Sequence, residues 1–249
     1  MSNMRKISVS NLGSLPYDTE EAMNRLQVNF TLCGKQNKKV MITSSVPDEG
    51  KSFVSVHLWR LLAEAGNKVV LIDADIRRSV IRRRYQLTPE DGNSIGLAYY
   101  LSGQAELEDV IYATEIPGAF IIPTFHTVVN PTILIQSERF TEMLNRLSEV
   151  CDYVLIDTPP LSSVSDGNMI ASRCDGALLV IQGGKTSRSL IHDSIRQIET
   201  SGCTLLGVVL NRTKDAQYRK YGKYSRYIYN YRYGYRYGYS NNYYGKDKK

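Results

Sequence analysis

The amino-acid sequence predicts an α/β protein, a three-layer sandwich around a mostly parallel sheet, followed by a flexible tyrosine-rich C-terminal tail. Three observations lead to this prediction. Short apolar runs recur up to residue 210, helical patterns separate most of them, and the composition changes abruptly near residue 218. The chain has 249 residues, 42% of them hydrophobic, which is enough for one large domain with a sizeable core.

The apolar runs are four to six residues long, rich in β-branched residues and apolar on both faces, as are the strands of a buried parallel sheet. They span residues 39–43, 68–72, 119–122, 153–156, 176–181 and 205–210. Helices are expected at 18–33, 51–66, 133–149 and 187–201, the first of them capped by Asp18 or Thr19. Alternating strands and helices indicate right-handed βαβ crossovers.

Charge and composition divide the chain into an irregular arm at 1–17, a domain at 18–214 and a basic tail at 215–249. Residues 212–249 hold eleven Lys and Arg against two Asp, a charge of +9, whereas residues 1–211 sum to −3. A basic tail does not by itself indicate nucleic-acid binding. The four cysteines form no C-x-x-C pair, and no apolar run reaches the length of a membrane span, so we expect a cytoplasmic protein.

The strongest motif is a phosphate loop that follows an expected strand and opens an expected helix. It comprises eight consecutive residues: Ser45, Val46, Pro47, Asp48, Glu49, Gly50, Lys51 and Ser52. In such a loop, backbone N–H groups at the helix N-terminus hold phosphate, the lysine reaches its oxygens and the hydroxyl ligates Mg²⁺. Since Ser45 stands where the common pattern has glycine, a chance Gly-Lys-Ser at a helix start is the alternative for this motif taken alone.

Two further motifs place carboxylates directly after buried strands. Asp73 and Asp75 follow the run at 69–72, and Asp157 follows the run at 153–156. Ligands of open α/β sheets bind outside the carboxyl ends of the strands. We therefore expect these three carboxylates to converge with Lys51 and Ser52 on one magnesium–nucleotide site.

At these motifs the sequence resembles the bacterial tyrosine kinases (BY-kinases) of capsular and exopolysaccharide systems, over nearly its whole length. That family has a Walker A loop, a D-x-D-x-R Walker A′ motif and a D-x-x-P Walker B motif. Residues 45–52, 73–77 and 157–160 match them in that order, and the stretches 130–137 and 207–211 also resemble the family. The resemblance implies a P-loop NTPase fold that uses ATP and Mg²⁺.

The resemblance also implies a role for each site residue. Lys51 would neutralise phosphate charge. Ser52, Asp73 and Asp157 would hold Mg²⁺, and Asp75 or Asp73 would orient or deprotonate the acceptor phenol. Beyond the loop, the nucleotide-binding residues are expected to include Phe53, Arg77 and Asn211, the last as the residue that reads adenine. Catalysis would then rest on positioning and charge neutralisation.

The tyrosine-rich tail matches the family's phosphate-accepting C-terminus. The candidate acceptors are Tyr218, Tyr221, Tyr224, Tyr227, Tyr229, Tyr231, Tyr233, Tyr235, Tyr237, Tyr239, Tyr243 and Tyr244. By resemblance they accept phosphate in the active site of a neighbouring copy, and the activity regulates polysaccharide synthesis and export. The implied partners are a transmembrane adaptor that holds the chain at the inner membrane face and a phosphotyrosine phosphatase, with no nucleic acid.

The sequence departs from the family at several positions. Asp48 stands where the family usually has glycine; Asp tolerates left-handed backbone, but its charge would repel phosphate. Asn24 and Gln27 replace two arginines of a helical E-x-x-R-x-x-R that joins subunits into a ring, so the ring loses two charge-assisted contacts. The arginines at 77–78 and 82–84 could grip phosphate or an acidic partner, and a solvated helix face is the alternative for the last three.

Three other functions remain open from the sequence. A partition-type or division-site ATPase would carry a lysine at position 46, where this chain has Val46. An adaptor that has lost catalysis is favoured by Asp48 and by the altered ring helix. A single-strand nucleic-acid binder fits the arginine and tyrosine content, yet a tail with twelve tyrosines exceeds what base stacking needs.

Overall fold

The computed structural model describes residues 4–128 and 130–213. Met1–Asn211 group into one structural unit and Arg212–Lys249 into another. The candidate acceptor tyrosines all lie outside the described residues. Among the helices that the structure describes, none combines the length and the apolar character that a bilayer span requires.

The described residues form nine strands and nine helices. The strands are β1 (Arg5–Val9), β2 (Lys39–Ser44), β3 (Val69–Asp73), β4 (Leu87–Pro89), β5 (Tyr112–Ala113), β6 (Ala119–Ile122), β7 (Tyr153–Asp157), β8 (Gly176–Gln182) and β9 (Thr204–Asn211). The helices are α1 (Tyr17–Leu32), α2 (Lys51–Glu64), α3 (Ile81–Arg84), α4 (Leu97–Leu101), α5 (Leu107–Val110), α6 (Pro131–Gln136), α7 (Glu138–Val150), α8 (Asp166–Ala171) and α9 (Arg188–Thr200).

All nine strands join one sheet in the order β4-β1-β5-β6-β3-β7-β2-β8-β9. Six of the eight neighbouring pairs are parallel, and β1–β4 and β5–β6 are antiparallel. The predicted three-layer, mostly parallel fold is therefore confirmed. The centre of the sheet is β3-β7-β2, and in its register Asp73 lies beside Asp157. This register brings the carboxylates of two separate motifs to one edge.

The core lies on both faces of this sheet, because alternate side chains of each central strand point to opposite sides. Val69 and Leu71 pack with the apolar residues of α1 and α2, whereas Val70 and Ile72 pack with those of α4 to α9. All five residues of β3 and of β7 are buried. Burial on both faces explains why these strands read as continuous apolar runs.

The structure corrects the sequence prediction in three places. The expected irregular arm is wrong for Arg5–Val9, which forms β1 and pairs with β4 and β5; only Ile7 of this strand is fully buried, so the apolar signal is weak. The helix expected at 133–149 is two helices, because the backbone of Ser137 is extended between α6 and α7. Helix α1 begins at Tyr17 after Pro16, and no side chain caps it.

Candidate active site

The phosphate loop lies between β2 and α2, where the sequence motif predicts it. Gly50 precedes α2 with a φ of 97°, and Asp48 has a φ of 66°. Asp48 therefore adopts the left-handed backbone that glycine takes most readily, and its side chain is exposed. A Cβ atom on Gly50 would lie 2.0 Å from Nδ2 of Asn211, so a side chain at this position would displace the Asn211 side chain.

Glu49 fixes the shape of the loop from inside. Its side chain is 1% exposed, and its Oε2 accepts a hydrogen bond from the Val46 backbone N–H at 2.8 Å. Its Oε1 accepts from the Gln182 backbone N–H at 3.1 Å and from the Thr186 hydroxyl. Asn211 donates from Nδ2 to the Glu49 carbonyl oxygen at 2.8 Å. The loop is thus bonded to the segment after β8 and to the end of β9.

The sequence motif named Glu49 only as one residue of the loop and did not reveal this role. A buried carboxylate must find hydrogen-bond donors, and here backbone N–H groups supply two of them. The signal in the sequence is an acidic residue within a phosphate-binding loop, where its charge would repel the ligand unless it points elsewhere. The structure shows that it points into the protein.

Lys51 meets the carboxylates that the sequence predicted beside it. Its Nζ lies 3.0 Å from Oδ2 of Asp75 and 3.8 Å from Oδ2 of Asp157. Ser52 donates from its hydroxyl to Oδ2 of Asp157 at 2.7 Å. Burial by itself would lower the pKa of Lys51, but Asp157 and Asp75 outweigh burial and raise it. The lysine is therefore charged and is held by carboxylates.

Ser55 is a site residue that the sequence analysis missed. It donates from its hydroxyl to Oδ1 of Asp157 at 2.9 Å, so both oxygens of this carboxylate are bonded to α2. Ser55 follows Lys51 by one helical turn, a spacing that places the two residues on one face of the helix. Burial raises the pKa of Asp157, while Lys51 and the two serine hydroxyls oppose the rise.

Asp73 is the least satisfied group of the site. It is fully buried, and its Oδ2 accepts a hydrogen bond from the Ser79 hydroxyl. Its Oδ1 has no hydrogen-bond partner within the described residues. Burial, helped by the charge of Asp157, raises the pKa of Asp73 to about 8. At neutral pH this carboxyl group therefore holds a proton until a cation or a donor approaches it.

Arg77, which the sequence analysis places among the nucleotide-binding residues, is bonded to α6 and α8 in this structure. Its Nε and Nη2 donate to the Asp166 carboxylate at 2.7 and 3.3 Å, and Nη2 also donates to the Thr132 hydroxyl at 2.8 Å. Asp166 is nearly buried at the start of α8 and Thr132 lies in α6. In this state Arg77 ties the Walker A′ segment to two helices, a contact that local sequence does not reveal.

The other expected site residues lie around the same loop. Ser45 is buried, and its hydroxyl oxygen lies 2.9 Å from that of Ser194. The ring of Phe53 lies 4.3 Å from that of His57 and beneath the guanidinium of Arg84 at 5.6 Å. The helical motif that joins subunits in the family begins here at Glu21. Glu21 and Asn24 are both exposed on α1. The sequence motifs thus located the loop and its carboxylates, but not the contacts of Glu49, Ser55 and Arg77.

The comparisons with known proteins agree with this geometry. The family model described as an AAA domain matches residues 38–201. The chain is 41% identical over 210 residues to tyrosine-protein kinase CpsD of Streptococcus agalactiae, covering 84% of this chain and 90% of that one. It is 31% identical to tyrosine-protein kinase YwqD of Bacillus subtilis, with 80% and 83% of the two chains covered.

Solved structures give the same result. The kinase domain of the Escherichia coli tyrosine kinase ETK superposes with a TM-score of 0.70 at 30% identity, over 78% of this chain and 77% of that one. The septum site-determining protein MinD of Pyrococcus horikoshii, solved with Mg-ADP, superposes with a TM-score of 0.58 at 25% identity, over 71% and 72% of the two chains. On this combination of motifs, fold and identity, the chain belongs to the bacterial tyrosine-protein kinase family, with the fold of P-loop NTPases.

Proposed function

We propose that this chain is an ATP- and Mg²⁺-dependent protein-tyrosine kinase that phosphorylates the tyrosines of its own C-terminal segment. The observation that carries the proposal is the buried cluster at the carboxyl ends of β2, β3 and β7. There Lys51 and Ser52 meet Asp75 and Asp157, and one oxygen of Asp73 has no partner within the part of the chain that the structure describes.

The residues present fit a magnesium ion bound with a nucleotide. Carboxylate and hydroxyl oxygens are the ligands that Mg²⁺ takes in proteins, and Ser52, Asp73 and Asp157 supply them. Among the residues that the structure describes, no three His, Cys, Asp or Glu side chains are grouped to hold a metal by themselves. That agrees with Mg²⁺, which is commonly held by one or two carboxylates together with water and substrate phosphates.

The residues of the chain then have distinct tasks. Lys51 exchanges its contact with Asp75 for phosphate oxygens, and the N-terminus of α2 contributes N–H groups to the same phosphates. Bound Mg²⁺ supplies neutralisation of the charge that develops on the transferred phosphoryl group. The phenol oxygen forms the new bond to the γ-phosphorus as the bond to ADP breaks.

The phenol proton goes to a carboxylate, for which Asp75 and Asp73 are the candidates. Once Lys51 has moved to phosphate, the Oδ2 atom of Asp75 is free to accept this proton. Asp73 can take this role only in its ionised form, so its own proton, which the raised pKa retains, would first have to leave to solvent as the cation binds.

We further propose that the acceptor segment belongs to a neighbouring copy and that the activity regulates capsule or exopolysaccharide synthesis. The family membership supports both ideas. It also supports a transmembrane adaptor that places the chain at the inner membrane face, and a phosphatase that resets it. Asp48 is compatible with catalysis, because its backbone keeps the glycine-like conformation and its carboxylate is exposed.

The test is intact-mass spectrometry of the full chain after incubation with Mg²⁺-ATP, with and without the cytoplasmic segment of the adaptor. We expect stepwise addition of phosphate that maps to residues 218–244. Lys51→Met should abolish the addition, whereas Lys35→Met, which removes an exposed lysine before β2, at the opposite end of that strand from the loop, should not. Nucleotide binding with no added mass under either condition would favour the catalytically silent adaptor instead.

A further inference from the structure

A cavity of about 510 Å³ opens beside the catalytic carboxylates, and the proposed chemistry does not use it. Its lining consists of Ser79, Arg82, Arg83, Gln86, Leu87, Thr88, Thr124, Phe125 and Thr127. Two of these residues also contact Asp73, since Ser79 donates to its carboxylate and Thr124 donates from Oγ1 to its backbone oxygen at 2.7 Å. The cavity and the proposed acceptor site therefore share a wall.

The lining has the chemistry of an anion site with an aromatic floor. Phe125 and Leu87 are buried and apolar, and the lining also contains four hydroxyl groups and two guanidinium groups. Among the residues that the structure describes, none that lines the cavity is acidic. A volume of this size lies in the range that holds an organic ligand rather than a single ion.

The two arginines are disposed differently. Arg82 donates from Nη1 to the Phe125 backbone oxygen at 2.9 Å and lies over the Phe125 ring, 5.4 Å from its centroid, so it shapes the aromatic floor. Arg83 is exposed, and within the described residues it forms neither an ion pair nor a hydrogen bond. An unpaired guanidinium at the mouth of a cavity without carboxylates is suited to an anionic ligand.

We propose that this cavity binds a phosphotyrosine of the C-terminal segment, the product of the reaction, and so holds the next tyrosine at Asp73. The proposal rests on the proposed function. The phosphate would bind Arg83 and the hydroxyl groups, and the phenyl ring would pack against the Arg82 guanidinium that covers Phe125. An unmodified segment fits less well, because residues 212–249 carry a charge of +9 and meet a basic wall. Each phosphate adds about −1.5 to −2 charge at neutral pH and reverses that repulsion.

The spacing of the tyrosines supports this arrangement. From Tyr227 to Tyr239 every second residue is tyrosine. In an extended peptide, residues two apart point to the same side and lie roughly 7 Å from each other. A phosphotyrosine held in the cavity would therefore present a neighbouring tyrosine to the carboxylate on the shared wall. Phosphorylation would then proceed along the segment from a first modified residue.

The experiment measures the binding of three fluorescent peptides of residues 227–239 to the full, dephosphorylated chain without ATP. One peptide carries phosphate on Tyr233, one is unmodified, and one carries phosphoserine in place of Tyr233. We expect the phosphotyrosine peptide to bind at least about tenfold more tightly than either of the others. Phenyl phosphate should displace it at lower concentration than inorganic phosphate.

Two substitutions and a matched control locate the site. Arg83→Gln should lower the affinity for the phosphotyrosine peptide by about tenfold. Thr127→Glu, which adds a carboxylate at an exposed lining position, should lower this affinity by a similar factor. Arg84→Gln removes the same charge one residue along α3, outside the lining, and should leave affinity within about twofold. Thermal melting of each variant verifies that it is folded.

Equal affinity for phosphorylated and unmodified peptides would overturn the proposal, as would equal affinity for phosphotyrosine and phosphoserine. Equal loss in Arg83→Gln and Arg84→Gln would also overturn it, because general surface charge would then explain binding. The assay involves no turnover. A chain that transfers no phosphate can still bind the peptide selectively, and an active kinase can fail to do so, so the inference and the proposed function fail independently.

Discussion

Replacing Asp73 by asparagine is expected to stabilise the free protein while it impairs the site. The pKa of Asp73 is raised from 3.8 to about 8, so the folded chain binds this proton more tightly than the unfolded chain does. The contribution of Asp73 to wild-type stability therefore falls as pH rises from about 4 to about 8, and is level above that. Each pH unit in this window costs at most about 1.4 kcal/mol, which gives a ceiling of about 4 kcal/mol at pH 7.

Water penetration and side-chain relaxation lower this ceiling, and we expect Asp73→Asn to gain about 2 kcal/mol at pH 7. For a domain of this size that corresponds to a rise in Tm of about 4–8 °C. The asparagine oxygen can still accept from Ser79, and its amide group has no charge to desolvate. Thermal melting in EDTA at pH 5, 6, 7 and 8 should show the difference between variant and wild type growing with pH.

Asp193→Asn is the matched control, since it removes a carboxylate that is exposed on α9. It should follow the wild type at every pH. With Mg²⁺-ATP present the order should reverse, because Asp73→Asn lacks the ionised oxygen that would face the cation. A Tm difference that is the same from pH 5 to pH 8 would refute the assignment of a buried, protonated carboxyl group at this position.

Three other single substitutions test the surroundings of the site. In Glu49→Gln, the new amide N–H₂ replaces one carboxylate oxygen and faces a backbone N–H donor, with which it cannot form a hydrogen bond. This variant should lower the free energy of unfolding in urea by about 1–3 kcal/mol. His57 is buried and its pKa is lowered to about 4, mainly by burial, so its contribution to stability is full above pH 6.5 and is lost as the pH falls towards 4. His57→Phe should remove this loss, so the difference in the free energy of unfolding between variant and wild type should change between urea titrations at pH 5 and pH 7. Asp166→Asn breaks the ion pair with Arg77 and should lower the urea midpoint, with a loss of about 1–2 kcal/mol.

Each of these substitutions has an outcome that would contradict its reason. Glu199→Gln, an exposed substitution on α9, is the control and should leave the free energy of unfolding unchanged. If both glutamate variants lost the same free energy of unfolding, Glu49 would have no special role in fixing the loop. Parallel pH profiles for wild type and His57→Phe would mean that the imidazole is not the group that titrates. An unchanged midpoint for Asp166→Asn would show that its pairing with Arg77 is energetically silent.

The central strands could be predicted from the sequence because their burial requires apolar residues at nearly every position. Strands β3 and β7 are buried on both faces, so they appear as uninterrupted apolar runs, and each ends in the aspartate that the site uses. The carboxyl ends of parallel strands lie at one edge of a sheet. The proximity of Asp73 and Asp157 could therefore be predicted from their positions at the ends of two such strands. Strand β1 has one fully buried apolar residue, Ile7, and left no comparable trace.

The contacts that the sequence did not reveal join residues far apart in the chain. Arg77 and Asp166 are 89 positions apart, and Glu49 and Thr186 are 137 apart. No periodicity or local propensity relates such pairs, since tertiary packing alone brings them together. Ser55 is the exception, because its spacing from Lys51 on one helix face could have identified it.

The arrangement around Lys51 also determines the charge balance of the site. Three buried carboxyl groups, Asp73, Asp75 and Asp157, face a single cation among the described residues, and it is already paired. A nucleotide without a metal would add negative charge to a site whose one lysine is already paired with carboxylates. Occupancy of the site by nucleotide should therefore depend on the free magnesium concentration as well as on that of ATP. The fraction of the enzyme that is loaded for reaction is then set by the availability of both.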